Sequence, residues 1–137
     1  MSNCVIFHKS LLMLVFLIFL QIVACDVFNP CTEEEVYRIT SLDSNVDAII
    51  VDKNCGATTS ILREIYIVPK GDSVNNQKPI FRAEKANYLK IEWVGHKQLE
   101  ISYKKARVLE TNHIWSSNEI NDSIYNVTIN WFRRDSF

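Results

Sequence analysis

An all-β domain with one disulfide is the fold class this sequence predicts. Three observations carry it. Apolar and polar residues alternate singly in at least three stretches, no long stretch repeats at the 3.6-residue helical period, and turn residues separate the runs at short intervals. Six to eight strands in a small antiparallel sandwich or curled meander, with at most one short helix, fit 137 residues.

Along the chain, Thr32-Glu33-Glu34-Glu35 has the spacing of a capping box and is expected to open one helical turn. The β-branched and aromatic Val36-Tyr37-Arg38-Ile39-Thr40 keeps that helix short. After the turn-like Ser41-Leu42-Asp43-Ser44-Asn45 comes an apolar run, Val46 to Val51, and then a second, Ile61 to Val68, closed by Pro69 and Lys70-Gly71-Asp72. Polar residues lead to a short Pro79-Ile80-Phe81 run. The clearest signal follows. Leu89, Ile91 and Trp93 alternate with Lys90 and Glu92; Leu99, Ile101 and Tyr103 alternate with Glu100, Ser102 and Lys104. With Gly95 in the connection, this predicts a β-hairpin. Asn112 to Ser117 reads as irregular, and Tyr125, Val127, Ile129 and Trp131 mark a last strand.

The N-terminus has a different character. Met1 to Ser10 holds Lys9, Leu11 to Leu20 is ten apolar residues without a break, and Gln21-Ile22-Val23-Ala24 ends on a small residue. This is the layout of a secretory signal peptide, and the apolar run is short for a membrane-spanning helix, which needs about 20 residues. Retention of the segment as an uncleaved signal anchor is the alternative. Ile22, Ala24 and Cys25 resemble the processing site of bacterial lipoproteins, in which the cysteine thiol receives diacylglycerol before the preceding bond is cut. Residues 1–24 are then the signal, 25–30 the lipid anchor with a short tether, and 31–137 a single domain. The resemblance implies an exported protein held at the cell membrane through Cys25. Asp26 resembles the inner-membrane retention signal used in two-membrane bacteria.

Cysteine arithmetic agrees with that assignment. Cys4 leaves with the signal; if Cys25 carries lipid, Cys31 and Cys55 remain as a pair, and otherwise one of three is an orphan. A Cys31–Cys55 bond would close a loop of 25 residues and add about 3 kcal/mol of stability in the chain-entropy model.

Cys55 belongs to a motif. Cys31, the turn residues Ser41 and Asp43, the apolar Ala48 to Val51 and then Cys55-Gly56-Ala57-Thr58-Thr59 resemble an uncharacterised family of small exported bacterial proteins. Its members carry an upstream cysteine, a Ser-Pro-Asp-Gly-like turn and a Cys-Gly-Ala-Thr-Thr segment. Leu42 and Ser44 stand here where Pro and Gly are usual. The resemblance covers about a third of the chain and brings an exported domain but no activity. Physically, Gly56 permits a sharp turn, and Gly56, Ala57, Thr58 and Thr59 offer backbone N–H groups and hydroxyls for an anion or a partner. The plainer role is a disulfide anchor, a turn and satisfied loop hydrogen bonds.

Charge and motif content narrow the function classes. Lys9 is the only charged residue before Asp26, so the exported part holds 14 Lys+Arg against 16 Asp+Glu. That balance argues against nucleic acid as a partner and gives no polybasic patch to hold anionic lipid, so membrane attachment is expected to be covalent or by a spanning segment. His96 and His113 lack metal-ligand spacing, no phosphate-binding glycine loop or nucleophile elbow occurs, and neither metal nor cofactor is expected. No catalytic residue stands out. Trp115, in the segment expected to be irregular, is the best candidate for an aromatic that contacts a ligand or partner. A non-enzymatic, membrane-anchored module that binds an envelope protein or other component is the leading expectation. An inhibitor or immunity protein against a toxin or cell-wall hydrolase is a special case. A small envelope hydrolase with a dispersed site is the competing class.

Overall fold

Where side chains alternate between wet and apolar, a strand can bury one face and leave the other in water, and most of this chain does so. A computed structural model of the protein describes residues 31–56, 59–120 and 123–135, apart from the side chain of Glu119. The strands are β1 (Thr32–Thr40), β2 (Val46–Asn54), β3 (Leu62–Pro69), β4 (Phe81–Asn87), β5 (Lys90–Gly95), β6 (Gln98–Tyr103), β7 (Lys105–Thr111), β8 (Ile114–Ile120) and β9 (Ser123–Arg133). They form two sheets, one ordered β1-β2-β3-β4-β7 and the other β5-β6-β9-β8. Cys25, Asp26 and the signal segment lie outside the described residues, as do Ala57 and Thr58.

The core lies between the sheets. Val46, Ala48 and Ile50 of β2 and Ile65 and Ile67 of β3 face Ile91, Trp93, Leu99, Ile101, Val127 and Ile129 of the other sheet. The predicted hairpin is β5–β6, with Ile91 opposite Ile101 and Trp93 opposite Leu99. Its inward residues are the ones that alternation selects. By contrast, Val46 to Val51 is a continuous apolar run because β2 is buried on both faces. Ile49 and Val51 pack outward with Tyr66 and Val68, and Val74 from the following loop lies against them.

Three expectations are corrected. The Thr32–Glu35 stretch is not helical: it opens β1, with Thr32 opposite Asn54 and Glu35 opposite Val51. The Cys31–Cys55 disulfide, Cα–Cα 3.9 Å, places the two strands side by side at that point, so ladder pairing prevails over a local cap. Of Asn112 to Ser117 only Asn112 and His113 are irregular, since Ile114 to Ser117 pair with β9. Both β7 and β8 escaped the sequence reading because each is an edge strand with one neighbour, and neither needs a strong apolar stripe. Finally, not every pair is antiparallel, because β9 enters the second sheet parallel to β6, with Gln98 opposite Thr128 and Tyr103 opposite Arg133.

Register defines two ends. Thr32, Asn54, Leu62, Glu84, Asn87 and Lys105 gather at one, which is also where the disulfide sits. The turn at Ser41–Asn45 and the start of β2 lie at the other, beside Pro69.

Candidate functional site

The disulfide end carries the open concavities. β3 brings Arg63 to its middle, paired through the backbone with Ala83 of β4 and Asp52 of β2. The guanidinium is fixed rather than free to sweep: Nε donates to Asp52 Oδ1 at 3.0 Å and Nη1 to the Ala86 carbonyl at 2.8 Å. On one side of Arg63 is a cavity of about 280 Å³, lined also by Val36, Tyr37, Ile50, Leu89 and Lys90. On the other is one of about 340 Å³, lined by Ser60, Ile61, Lys85, Ala86 and Asn87. Val36, Tyr37 and Ile61 are each about half exposed, so apolar surface and cations alternate around the rim.

Backbone conformation marks the same place. Between β4 and β5 the chain must leave one sheet for the other within a few residues. It does so with Lys85 at φ 51° and Tyr88 at φ 54°, left-handed values that non-glycine residues rarely adopt. The β4–β7 register slips between Glu84 and Asn87, which is a bulge at the rim. These are features that surrounding pairing must impose, and they orient Lys85 and Tyr88 away from an ordinary strand path.

The motif loop adjoins this end. Gly56 has φ +118° with no heavy atom within 4 Å of a would-be Cβ, so glycine is required by conformation and not by crowding. Its N–H donates to Asn54 Oδ1 at 3.1 Å. The Thr59 hydroxyl and N–H both donate to the Gly56 carbonyl, at 2.9 and 3.2 Å. Those two Thr59 donors therefore face inward and close the loop. Cys55 is engaged in the disulfide and holds no free thiol.

Other sequence candidates are placed elsewhere. Trp115 stands on β8, part-buried against the core. Trp93 is buried and its Nε1 donates to the Ile39 carbonyl at 3.3 Å, tying the two sheets together. His113 stacks on Trp131 at 5.8 Å, while His96 lies exposed in the β5–β6 turn. No group of three or more His, Cys, Asp and Glu side chains able to hold a metal occurs among the described residues.

What sequence reasoning missed are the polar networks on the outer face of the first sheet. Asp47, almost fully buried, accepts from Arg38 Nη1 at 2.8 Å, Thr40 Oγ1 at 2.7 Å and the Gly71 N–H at 2.9 Å. Burial works to raise its pKa, but these donors prevail and hold it below the ordinary carboxylate value. Glu64, equally buried, accepts from the Tyr66 hydroxyl at 2.6 Å and pairs with Arg82 at 2.7 Å. The legible hint was an acid within each largely apolar run, Asp47 in β2 and, beside Arg63, Glu64 in β3. Each network sets one guanidinium between two carboxylates, Arg38 between Asp47 and Glu35 and Arg82 between Glu64 and Glu110, and holds strands together.

No protein-family model, curated protein or solved structure matches this chain.

Proposed function

We propose that this protein is an exported β-sandwich held at a bacterial cell membrane through lipid on Cys25, where it binds another envelope component without transforming it. The observation that carries this reading is the Cys31–Cys55 disulfide. A structural disulfide belongs to an oxidising compartment, which agrees with a signal segment upstream. It also accounts for both cysteines of the folded domain, so Cys25 is left for lipid, directly after Ile22-Val23-Ala24. Two or more acyl chains on one residue suffice for stable anchoring without a spanning helix.

Binding rather than turnover is favoured by the chemistry of the rim. Around Arg63 the side chains are aliphatic, aromatic, amide, hydroxyl and ammonium, a set suited to recognising an acidic or amphipathic surface. The carboxylate next to it, Asp52, is engaged by Arg63 itself. An inhibitor or immunity role is a special case of the same reading, differing only in the identity of the bound protein.

Metabolic labelling with a palmitate analogue tests the anchor. The wild type should be labelled and Cys25→Ala should not; equal labelling of both would sink the lipoprotein reading. Cross-linking in the native envelope followed by mass spectrometry tests the binding role. Peptides linked through Tyr37 and Lys90 on the rim should recur with one partner, and dispersed cross-links with none enriched would count against it.

A further inference from the structure

The exported part is nearly neutral and shows no basic run in sequence, yet the fold gathers three lysines on the β4–β7 side of one end, across the sheet from Glu33 and Glu34 of β1. Lys85 comes from β4, Lys104 from the β6–β7 connection and Lys105 from the start of β7. Backbone pairing fixes them together. Asn87 lies opposite Lys105, and its carbonyl accepts the Lys104 N–H at 3.1 Å. Lys104 Nζ stands 5.4 Å from the centroid of the Tyr88 ring, which is two-thirds exposed. Ile61, half exposed, lines the same cavity as Lys85. Nearby Lys90, Arg133 and Arg134 are each matched with an acid, Glu92, Asp135 and Glu100. Lys85, Lys104 and Lys105 are not: among the described residues no carboxylate lies within ion-pair distance of them.

We propose that this end docks on an anionic bilayer surface, with Lys85, Lys104 and Lys105 over lipid phosphates and Tyr88 in the headgroup layer. The inference rests on the membrane attachment proposed above. What selects a bilayer as the occupant is where the chain enters the fold. Cys31 is at this same end, paired with Cys55 beside Asn54 and Thr32. Only Asp26 to Pro30 separate it from Cys25, a stretch that reaches roughly 20 Å when fully extended. An anchor at Cys25 therefore keeps the lysine-bearing end, and not the opposite one, within reach of the surface. Lysines close to an anionic leaflet are attracted within about a Debye length, and an exposed tyrosine suits the boundary between water and acyl chains. The left-handed backbone at Lys85 and Tyr88 is then a positioning device, turning both side chains outward at the rim.

The test uses the full, membrane-attached chain in vesicles of phosphatidylcholine alone and of phosphatidylcholine mixed with phosphatidylglycerol. Vesicles are floated, and lysine acetylation in the floated protein is quantified residue by residue. Lys85, Lys104 and Lys105 should acetylate several-fold more slowly on the anionic vesicles, Lys70 and Lys97 should not change, and high salt should remove the difference. A Lys85→Gln, Lys104→Gln, Lys105→Gln variant should float like the wild type, with its remaining lysines acetylating equally on the two vesicle types. Equal acetylation on both vesicle types in floated protein would overturn the docking and leave attachment standing. Failure to float would overturn attachment, and the docking with it. Protection in native envelopes but on neither vesicle would overturn the bilayer in favour of a protein occupant.

Discussion

The Tyr125 hydroxyl donates a 2.6 Å hydrogen bond to Asp43 Oδ2, joining residues 82 positions apart. It fastens the turn between β1 and β2 of the first sheet to β9 of the second. The same carboxylate accepts from Ser41 Oγ at 2.7 Å, and Ser41 Oγ in turn receives the Val46 N–H at 3.2 Å. The Ser41–Asn45 turn thus has a mechanical task, closing one end of the sandwich.

The first prediction concerns pH. Burial works to raise the Asp43 pKa, but the donors Tyr125, Ser41 and Asn45 prevail and hold it at about 2, below the ordinary 3.8. A lowered folded-state pKa contributes stability that is complete above the unfolded value and is lost as pH falls from about 4 to about 2. Burial, then the bond to Asp43, raises Tyr125 to about 12, so its contribution fades as pH climbs from about 10 to 12. Tyr125→Phe should lower neutral-pH stability by about 1–2 kcal/mol and flatten the acid limb. Urea melts of both proteins across the acid range check this.

The turn carries a correctable strain. Ser44 has φ 60° and its N–H donates to the Ser41 carbonyl at 2.9 Å. Left-handed backbone suits glycine better than serine. Ser44→Gly should stabilise by about 0.5–1 kcal/mol, the relief of strain exceeding the added freedom of the unfolded chain. Leu42 is 60% exposed and follows the first residue of the turn, a place where a proline ring pre-sets φ. Leu42→Pro should add a gain of about the same size, about 0.5–1 kcal/mol. A drop in the thermal midpoint of either variant would contradict the assigned turn.

Glu64 offers a third test. It is 2% exposed, accepts from Tyr66 and faces Arg82 Nε, although that N–H is not aimed along the contact, so the pairing is ionic more than hydrogen-bonded. Removing one member leaves polar groups unmatched: Glu64→Ala should cost about 3 kcal/mol. Replacing the set by apolar residues of similar size (Glu64→Leu, Tyr66→Phe, Arg82→Met) should recover most of that loss. Equilibrium denaturation of the two variants distinguishes a lost network from a simple cavity, because only the network is rescued by removing its other members.

Fold class was legible in single residues. In β5, β6 and β9 the period-2 pattern names the buried side chains directly, because a half-exposed strand must alternate. The Cys31–Cys55 pairing was legible by count. Edge strands β7 and β8 were not, since Ala106, Ser116 and Ser117 give no apolar rhythm and their pairing is supplied by neighbours far away in sequence. Nor was the rim around Arg63, whose lining comes from four separate stretches of chain.

By itself, then, the order of residues determined the all-β class, the strands whose residues alternate or run apolar, and which faces of β5, β6 and β9 turn inward. Tertiary structure alone decided that β9 enters parallel to β6, that Asp43 meets Tyr125, and that Lys85, Lys104 and Lys105 share the end at which Cys31 enters. Alternation is local and acts through each residue's own backbone geometry. Partnership between distant strands depends on the packing of two whole sheets, which no short window of sequence contains.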